Sequence, residues 1–295
     1  NKELADGNRI QIKIIHAPRG VIFDRNGKVL AANAPAFRLL DKDSKKARII
    51  SREEALELEV KNDPKTVNLE IDNVRSYPMG EKFAHVLGYV GEISEDQLKM
   101  PQYLNYRLGD RVGQVGIEAQ YEKMLKGVDG GEIIEVDSTG AQIRSLRKKP
   151  PINGQNIYLT IDASLQEKIY MNLKETLVNL GSCCAGTVAM DPLSGQILAL
   201  VSLPSFDPNI FTQNQDEAAI SEILNNSSSP VLNRVISGTY PPGSTFKIIS
   251  SLAALASNKI TPDTIVHDNG VTYLGTFKFT NWYFTEYGKV DGAVN

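Results

Sequence analysis

The chain is poor in cysteine, tryptophan and histidine: two, one and three of them in 295 residues. The two cysteines are neighbours, Cys183 and Cys184. They offer no disulfide framework and no zinc-ligand spacing. Adjacent cysteines seldom bridge, because the link strains the backbone, so the pair reads as two small buried residues leading into a strand. Three scattered histidines make a Ser-His-Asp triad a poor reading. His16 and His85 sit among apolar neighbours and read as satisfied core histidines. No run of 18 apolar residues occurs, so this sequence holds no membrane-spanning helix. It starts at Asn1 and shows no signal peptide. Charge of one sign is also missing: 32 basic against 35 acidic residues leave a net −3. No basic patch has interleaved aromatics, which argues against a nucleic-acid partner. The runs 41–46 and 144–149 read as solvated loops.

What is present is a chain long enough for two domains, with ordinary globular hydrophobicity of 41%. Its most informative stretch runs from Gly238 to Ala256. Pro241, Pro242 and Gly243 stop any element arriving from upstream. A helix then starts with Ser244 at its mouth. Phe246, Ile248, Ile249, Leu252, Ala253 and Leu255 make it apolar on nearly every side, the mark of a buried helix. Ser244, Lys247 and Ser251 break that rule on one shared face. A lysine on a buried helix loses hydration, which disfavours its charge. Such an amine can take a proton from a hydroxyl one turn away. Unpaired N–H groups at the helix start favour the negative charge that develops there. Ser244 is therefore the candidate nucleophile and acyl-ester site, and Lys247 its general base. The same spacing recurs at Ser145 and Lys148, in a polar run with no apolar helix behind it, and reads there as a solvated loop. The Gly238 to Ser244 turn mimics a phosphate-binding loop but lacks a lysine directly after the second glycine.

Tyr240-Pro241-Pro242-Gly243-Ser244-Thr245-Phe246-Lys247 resembles the active-serine motif of the class B penicillin-binding proteins, whose signature begins with serine-x-x-lysine. Further likeness lies in Arg19-Gly20 with Asp24-Arg25-Asn26-Gly27, in Arg75-Ser76-Tyr77-Pro78 and in residues 84–91. It continues in Gly116-Ile117-Glu118-Ala119-Gln120-Tyr121-Glu122, in Leu159-Thr160-Ile161-Asp162 and in residues 205–209. Arg19 and Arg25 read as structural arginines, paired with backbone or acids at a domain junction.

In order along the chain, residues 9–15 alternate as a strand should. Asn26 and Gly27 between apolar runs signal a hairpin. Ser51 and Ser94 open capping boxes. A helix is expected from Gly116 to the glycine stop at Gly127, and a strand over 132–137. A breaker cluster at 149–154 marks a boundary, giving an N-terminal domain at 1–152 and a second domain at 153–295. There a strand at 156–161 leads to Asp162, which caps a helix with Leu165, Ile169, Leu173, Leu177 and Leu180 at helical spacing, ending at Gly181. A hairpin follows around Pro192-Leu193-Ser194-Gly195, and residues 212–230 read as a mobile segment beside the site. His267 and Asp268 adjoin on a strand and point to opposite faces, so no metal site is expected.

The resemblance implies an α+β fold. Its first part is a pedestal or dimerisation domain of mixed strands and helices. Its second is part of a β-lactamase-like penicillin-binding domain, with an antiparallel sheet and a buried active-site helix. It implies a peptidoglycan DD-transpeptidase acting through an acyl-serine, with no cofactor and no metal. The partners implied are peptidoglycan stem peptides, β-lactam antibiotics and membrane-bound cell-wall synthesis proteins. The place implied is the bacterial cell envelope, at the outer face of the cytoplasmic membrane, with an anchor upstream of Asn1. The family's serine-x-asparagine and lysine-threonine-glycine motifs do not follow Ser244, so the chain reads as a fragment with little activity alone. No substrate-binding residue is assigned. Two other readings stay open: a carboxypeptidase or β-lactamase-like hydrolase, and a non-catalytic cell-wall scaffold.

Overall fold

Alternation at the N-terminus forms a strand in the computed structural model, which describes residues 10–40, 47–50, 52–61, 69–136, 142–214, 217–288 and 292–294. The chain divides into two compact units, Asn1–Gly238 and Thr239–Asn295.

Unit one contains twelve strands among its described residues. They are β1 (Ile10–Ile15), β2 (Ile22–Phe23), β3 (Val29–Leu40), β4 (Ala47–Ile50), β5 (Leu69–Ser76) and β6 (Val90–Glu92). After them come β7 (Arg111–Gly113), β8 (Gly130–Val136), β9 (Gln142–Lys149), β10 (Ile157–Tyr158), β11 (Ala185–Met190) and β12 (Ile197–Leu203). β1, β8 and β9 form one antiparallel sheet. β10, β2, β3 and β4 form another, with β5 also on β3. Only the β10–β2 pair in it is parallel. β6 pairs with β7, and β11 with β12, both antiparallel.

Local chemistry explains several of these elements. The β2–β3 turn is tied by Asp24, whose buried carboxylate accepts from the Asn26 and Lys28 amides at 2.8 and 2.7 Å. Its other oxygen accepts from the Ala163 amide at 3.1 Å, so the hairpin is pinned to the start of the helix Ala163–Leu180. Burial resists the charge on Asp24, and these backbone donors override it and hold the pKa below the ordinary carboxylate value. The Asp162 side chain caps that helix through the Leu165 amide, and Gly181 ends it at φ 62°, as the sequence predicts. Ser94 and Gln97 close a complete capping box. Ser51 and residues 41–46 lie outside the described residues.

Three apolar clusters lie among the described residues of the unit. Ile22, Leu30, Tyr77, Phe83, Leu87 and Leu125 pack with Ile161 and Ala163 in a single cluster. Beside it lies a buried charge network built from the motifs that carry the family resemblance. Arg19 Nε and Arg75 Nε each reach Glu118 at 2.6 Å, on different oxygens. Arg19 also reaches Glu122 at 2.7 Å. Glu122 further accepts from the Gly113 amide and from the Tyr106 hydroxyl at 2.8 and 2.9 Å. Burial pulls the Arg19 pKa down, and Glu118 and Glu122 more than offset it, leaving the group firmly charged. Arg19 is thus structural, as expected, while Arg25 is exposed.

Five local expectations differ. Residues 144–149 lie in β9 rather than a loop, because Glu135 and Glu132 of β8 face Arg144 and Lys148 across the ladder. The 116–127 helix is broken into Gly116–Gln120 and Glu122–Leu125, with Tyr121 at φ −109° and ψ 23° between them. Residues 212–230 are substantially helical, over Ile210–Asn214 and Glu217–Asn225. Buried Arg234 then bonds the carbonyls of Ser228, Ser229 and Leu232 and fixes the following turn. His16 is not a core residue; it lies half-buried, 3.4 Å from Asp129. Cys183 and Cys184 are joined to each other and are not buried. They stand between a helix end and a strand start, where no ladder or helix bond dictates the peptide's course. His85 is satisfied as expected, with Nε2 2.9 Å from the Pro230 carbonyl.

Unit two holds the helix Lys247–Ala256, the strand pairs β13 (Val266–Asp268) with β16 (Gly292–Val294) and β14 (Val271–Leu274) with β15 (Phe277–Thr280), and a helix Trp282–Tyr287. No helix among the described residues is long and apolar enough to cross a membrane.

Candidate active site

The site begins with a forced turn. Two prolines fix φ and remove two amide donors, so no regular element can run through Pro241 and Pro242. Gly243 then takes φ +53°, a conformation open to glycine with little strain. Gly243–Phe246 forms a single 3-10 turn, and Lys247–Ala256 continues it as an α-helix. The Thr245 hydroxyl donates to the Pro242 carbonyl at 2.5 Å and secures the turn. The Lys247 amide donates to the Ser244 carbonyl. Ser244 lies within that turn and Lys247 opens the α-helix directly after it, three residues on, so the two positions start on one side. Ser251 follows one helical turn later.

Burial differs from expectation. No residue of the Lys247–Ala256 helix is buried. Phe246, Ile248, Ile249 and Leu252 stand 51, 68, 57 and 61% exposed, and Ser244 and Lys247 are exposed with them. An all-round apolar helix needs cover on more than one side, and the described residues do not supply it. Nor do they desolvate the Lys247 amine, and no hydrogen bond among them links it to the Ser244 hydroxyl.

Elsewhere in the unit, the Asp268 carboxylate accepts from the Gly270 amide at 2.7 Å and from the Asn281 amide group. Asn281 and the Gly270 amide hold its pKa below the usual value. Asn281 in turn caps the helix Trp282–Tyr287 through the Phe284 amide. Asp268 is thus a turn-forming residue beside His267, which is exposed. Among the described residues no group of three or more His, Cys, Asp or Glu could hold a metal ion.

Residues 40–159 match the penicillin-binding protein dimerisation domain, and residues 185–295 match the penicillin-binding protein transpeptidase domain. The chain is a class B penicillin-binding protein. Relatives of this penicillin-binding protein include the peptidoglycan D,D-transpeptidase MrdA of Acinetobacter baumannii, 32% identical over 97% of this chain and 48% of its own length. The solved structure of Pseudomonas aeruginosa PBP2 in complex with WCK 5153 is 32% identical, with a TM-score of 0.65, over 97% of this chain and 50% of that one. Helicobacter pylori PBP2, solved in complex with MreC, has a TM-score of 0.77 at 24% identity, over 97% of this chain and 59% of that one, and shows the fold alone. The chain spans about half the length of the curated relatives it matches. Ser244 and Lys247 fall inside the stretch matched to the transpeptidase domain.

What sequence reasoning missed in this penicillin-binding protein is the network of Arg19, Arg75, Glu118 and Glu122. Its members lie up to 103 residues apart. The usable signal was present in two glutamates four apart beside apolar residues, which on a buried helical segment demand cationic partners.

Proposed function

We propose that the whole protein is a peptidoglycan DD-transpeptidase. Ser244 Oγ attacks the penultimate D-alanine carbonyl of a stem peptide while Lys247 takes the hydroxyl proton. The terminal D-alanine leaves, and the amine of a neighbouring stem peptide resolves the acyl ester into a cross-link. β-Lactams acylate the same oxygen. The observation that carries this reading is the three-residue spacing of Ser244 and Lys247 at the start of a helix that follows a turn forced by Pro241, Pro242 and Gly243. Its position within the transpeptidase match supports it.

Residues 1–152 act as the pedestal and 153–295 as the first part of the catalytic domain. The protein works at the outer face of the cytoplasmic membrane among cell-wall synthesis partners. The solved peptidoglycan synthase complex, whose matching chain is 28% identical with a TM-score of 0.74, supports partners of that kind. The proton traffic in this scheme needs only the serine and the lysine.

The test is fluorescent penicillin on the full-length protein. A covalent label that survives denaturation and is lost in Ser244→Ala supports the acyl-serine. A full-length protein that stays unlabelled overturns it in favour of a non-catalytic scaffold. Label retained in Ser244→Ala would move the nucleophile elsewhere. Product analysis with stem peptides then separates cross-linking from hydrolysis.

A further inference from the structure

The bonded pair Cys183–Cys184 has no place in the acyl-serine chemistry and lies in the other unit of the chain. Its surroundings are specific. The helix Ala163–Leu180 ends just before it, with the Ser182 amide returning to the Leu177 carbonyl at 3.0 Å. β11 starts just after it, Ala185 pairing with Leu203 of β12. Cys183 is exposed and Cys184 half-buried. Cys183 also lines a groove of about 340 Å³ with Glu81, Tyr170, Lys174 and Ser205.

That groove carries both charges and an aromatic face. Lys174 Nζ lies 3.2 Å from Glu81 Oε1 and 5.7 Å from the centre of the Tyr170 ring. Ser205 Oγ donates to the Glu81 carbonyl at 2.6 Å. A cation, a carboxylate and a hydroxyl around an open space match a small solute that bears carboxylate and ammonium groups. A disulfide sulfur in its wall suits such a solute only if it also carries a thiol.

We propose that Cys183–Cys184 is a redox-modifiable site served by small zwitterionic monothiols of the glutathione or cysteine class, which approach through this groove. The thiolate of one monothiol attacks Cys183 Sγ. The Cys183–Cys184 bond breaks, and Cys184 leaves as a thiolate that takes a proton from water. A second monothiol attacks the sulfur it shares with Cys183, releasing the Cys183 thiolate and the disulfide of the small thiol. Two monothiols are oxidised, and one protein disulfide is reduced to two thiols. Exchange of this kind depends on access to the attacked sulfur, which the exposure of Cys183 provides. Reduction opens the small ring that the two cysteines close within the segment joining the long helix to β11.

The test uses the full-length protein purified without reductant. It is blocked with N-ethylmaleimide and digested, and the peptide holding both cysteines is weighed. The expected peptide is unlabelled and two hydrogens lighter than the dithiol. After equilibration of the folded protein with glutathione buffers, the ratio of doubly alkylated to unlabelled peptide rises in proportion to the squared concentration of reduced glutathione divided by the concentration of oxidised glutathione. Both thiols alkylating fully, even after oxidised glutathione, would overturn the proposal. So would a bond that resists reduced glutathione in the folded protein and yields only after denaturation. Lys174→Ala is expected to slow reduction by glutathione about fivefold, the effect of one exposed charge contact, and to slow reduction by 2-mercaptoethanol, which brings only its thiolate charge, by less. Equal slowing with both thiols would overturn the assignment of the groove. None of these readouts depends on transpeptidation.

Discussion

Glu118→Gln is the sharpest test of what holds the first unit together. Glu118 is fully buried and meets two guanidinium groups, Arg19 Nε and Arg75 Nε, each at 2.6 Å and each on its own oxygen. With Glu122 present the four charges balance. The amide of glutamine keeps the shape but has one oxygen and two N–H donors. One of the two arginines must then face a donor, and the buried cluster carries a net positive charge. Removing one partner of a buried ion pair costs about 3–5 kcal/mol. That is a large part of the ~5–15 kcal/mol that holds a typical protein folded. At the midpoint, about 4 kcal/mol corresponds to nearly a thousandfold in the folding equilibrium. Guanidinium unfolding followed by far-UV circular dichroism reads this as a fall in midpoint at unchanged slope. Adding Arg75→Met to Glu118→Gln restores charge balance between Arg19 and Glu122. The double variant should therefore recover part of the loss, with a coupling of about 1–3 kcal/mol. A loss below about 1 kcal/mol for Glu118→Gln, the level of an exposed pair, would refute the reasoning.

Other expectations can be checked on the same protein. Asp162→Ala removes the cap of the helix Ala163–Leu180 and should cost about 1 kcal/mol in chemical unfolding. The Leu165 amide holds the Asp162 pKa below its ordinary value, so the cap's contribution is present above pH ~4 and is lost as pH falls through the lower folded value. His85 has its pKa lowered chiefly by burial, with Arg234 adding to the effect, so the unfolded chain takes the proton first. Stability should fall as pH drops below about 6.5, and His85→Gln should flatten that slope; an unchanged slope would contradict the burial argument. Gly20→Ala would set a Cβ 1.8 Å from the Gln155 carbonyl oxygen. The same glycine bonds Leu125 through its amide and Arg75 through its carbonyl. It cannot retreat, so the variant should lose about 3 kcal/mol or more or fail to fold, as thermal unfolding and soluble yield will show.

Local signals were the legible part of this fold. The Asp162 cap, the Gly181 stop and the Ser94–Gln97 box each depend on residues within a few positions, and each forms as read. The β11–β12 hairpin around residues 192–195 does too. Readings failed where the deciding partner lies outside the segment being read. Residues 144–149 look like a solvated basic run until Glu132 and Glu135 are placed opposite them. Residues 212–230 read as mobile by composition, yet Arg234 gathers the Ser228 and Ser229 carbonyls there and Thr212 is fully buried. At the candidate site, the order of residues shows the turn and the shared face of Ser244 and Lys247. It does not show what covers Phe246, Ile248 and Leu252, because cover is supplied by tertiary neighbours and leaves no trace in helical periodicity.

The apolar cluster that joins Tyr77, Phe83 and Leu125 to Ile161 and Ala163 has a mechanical meaning. A protease that nicked the chain between Pro150 and Pro151 would leave two pieces still clasped, since each owns only part of the oily seam between them. The slowest-exchanging amides on either flank of that cut should open in concert. A push on the hairpin at Asp24 would be felt at the first turn of the long helix, and this end of the molecule would move as one lever.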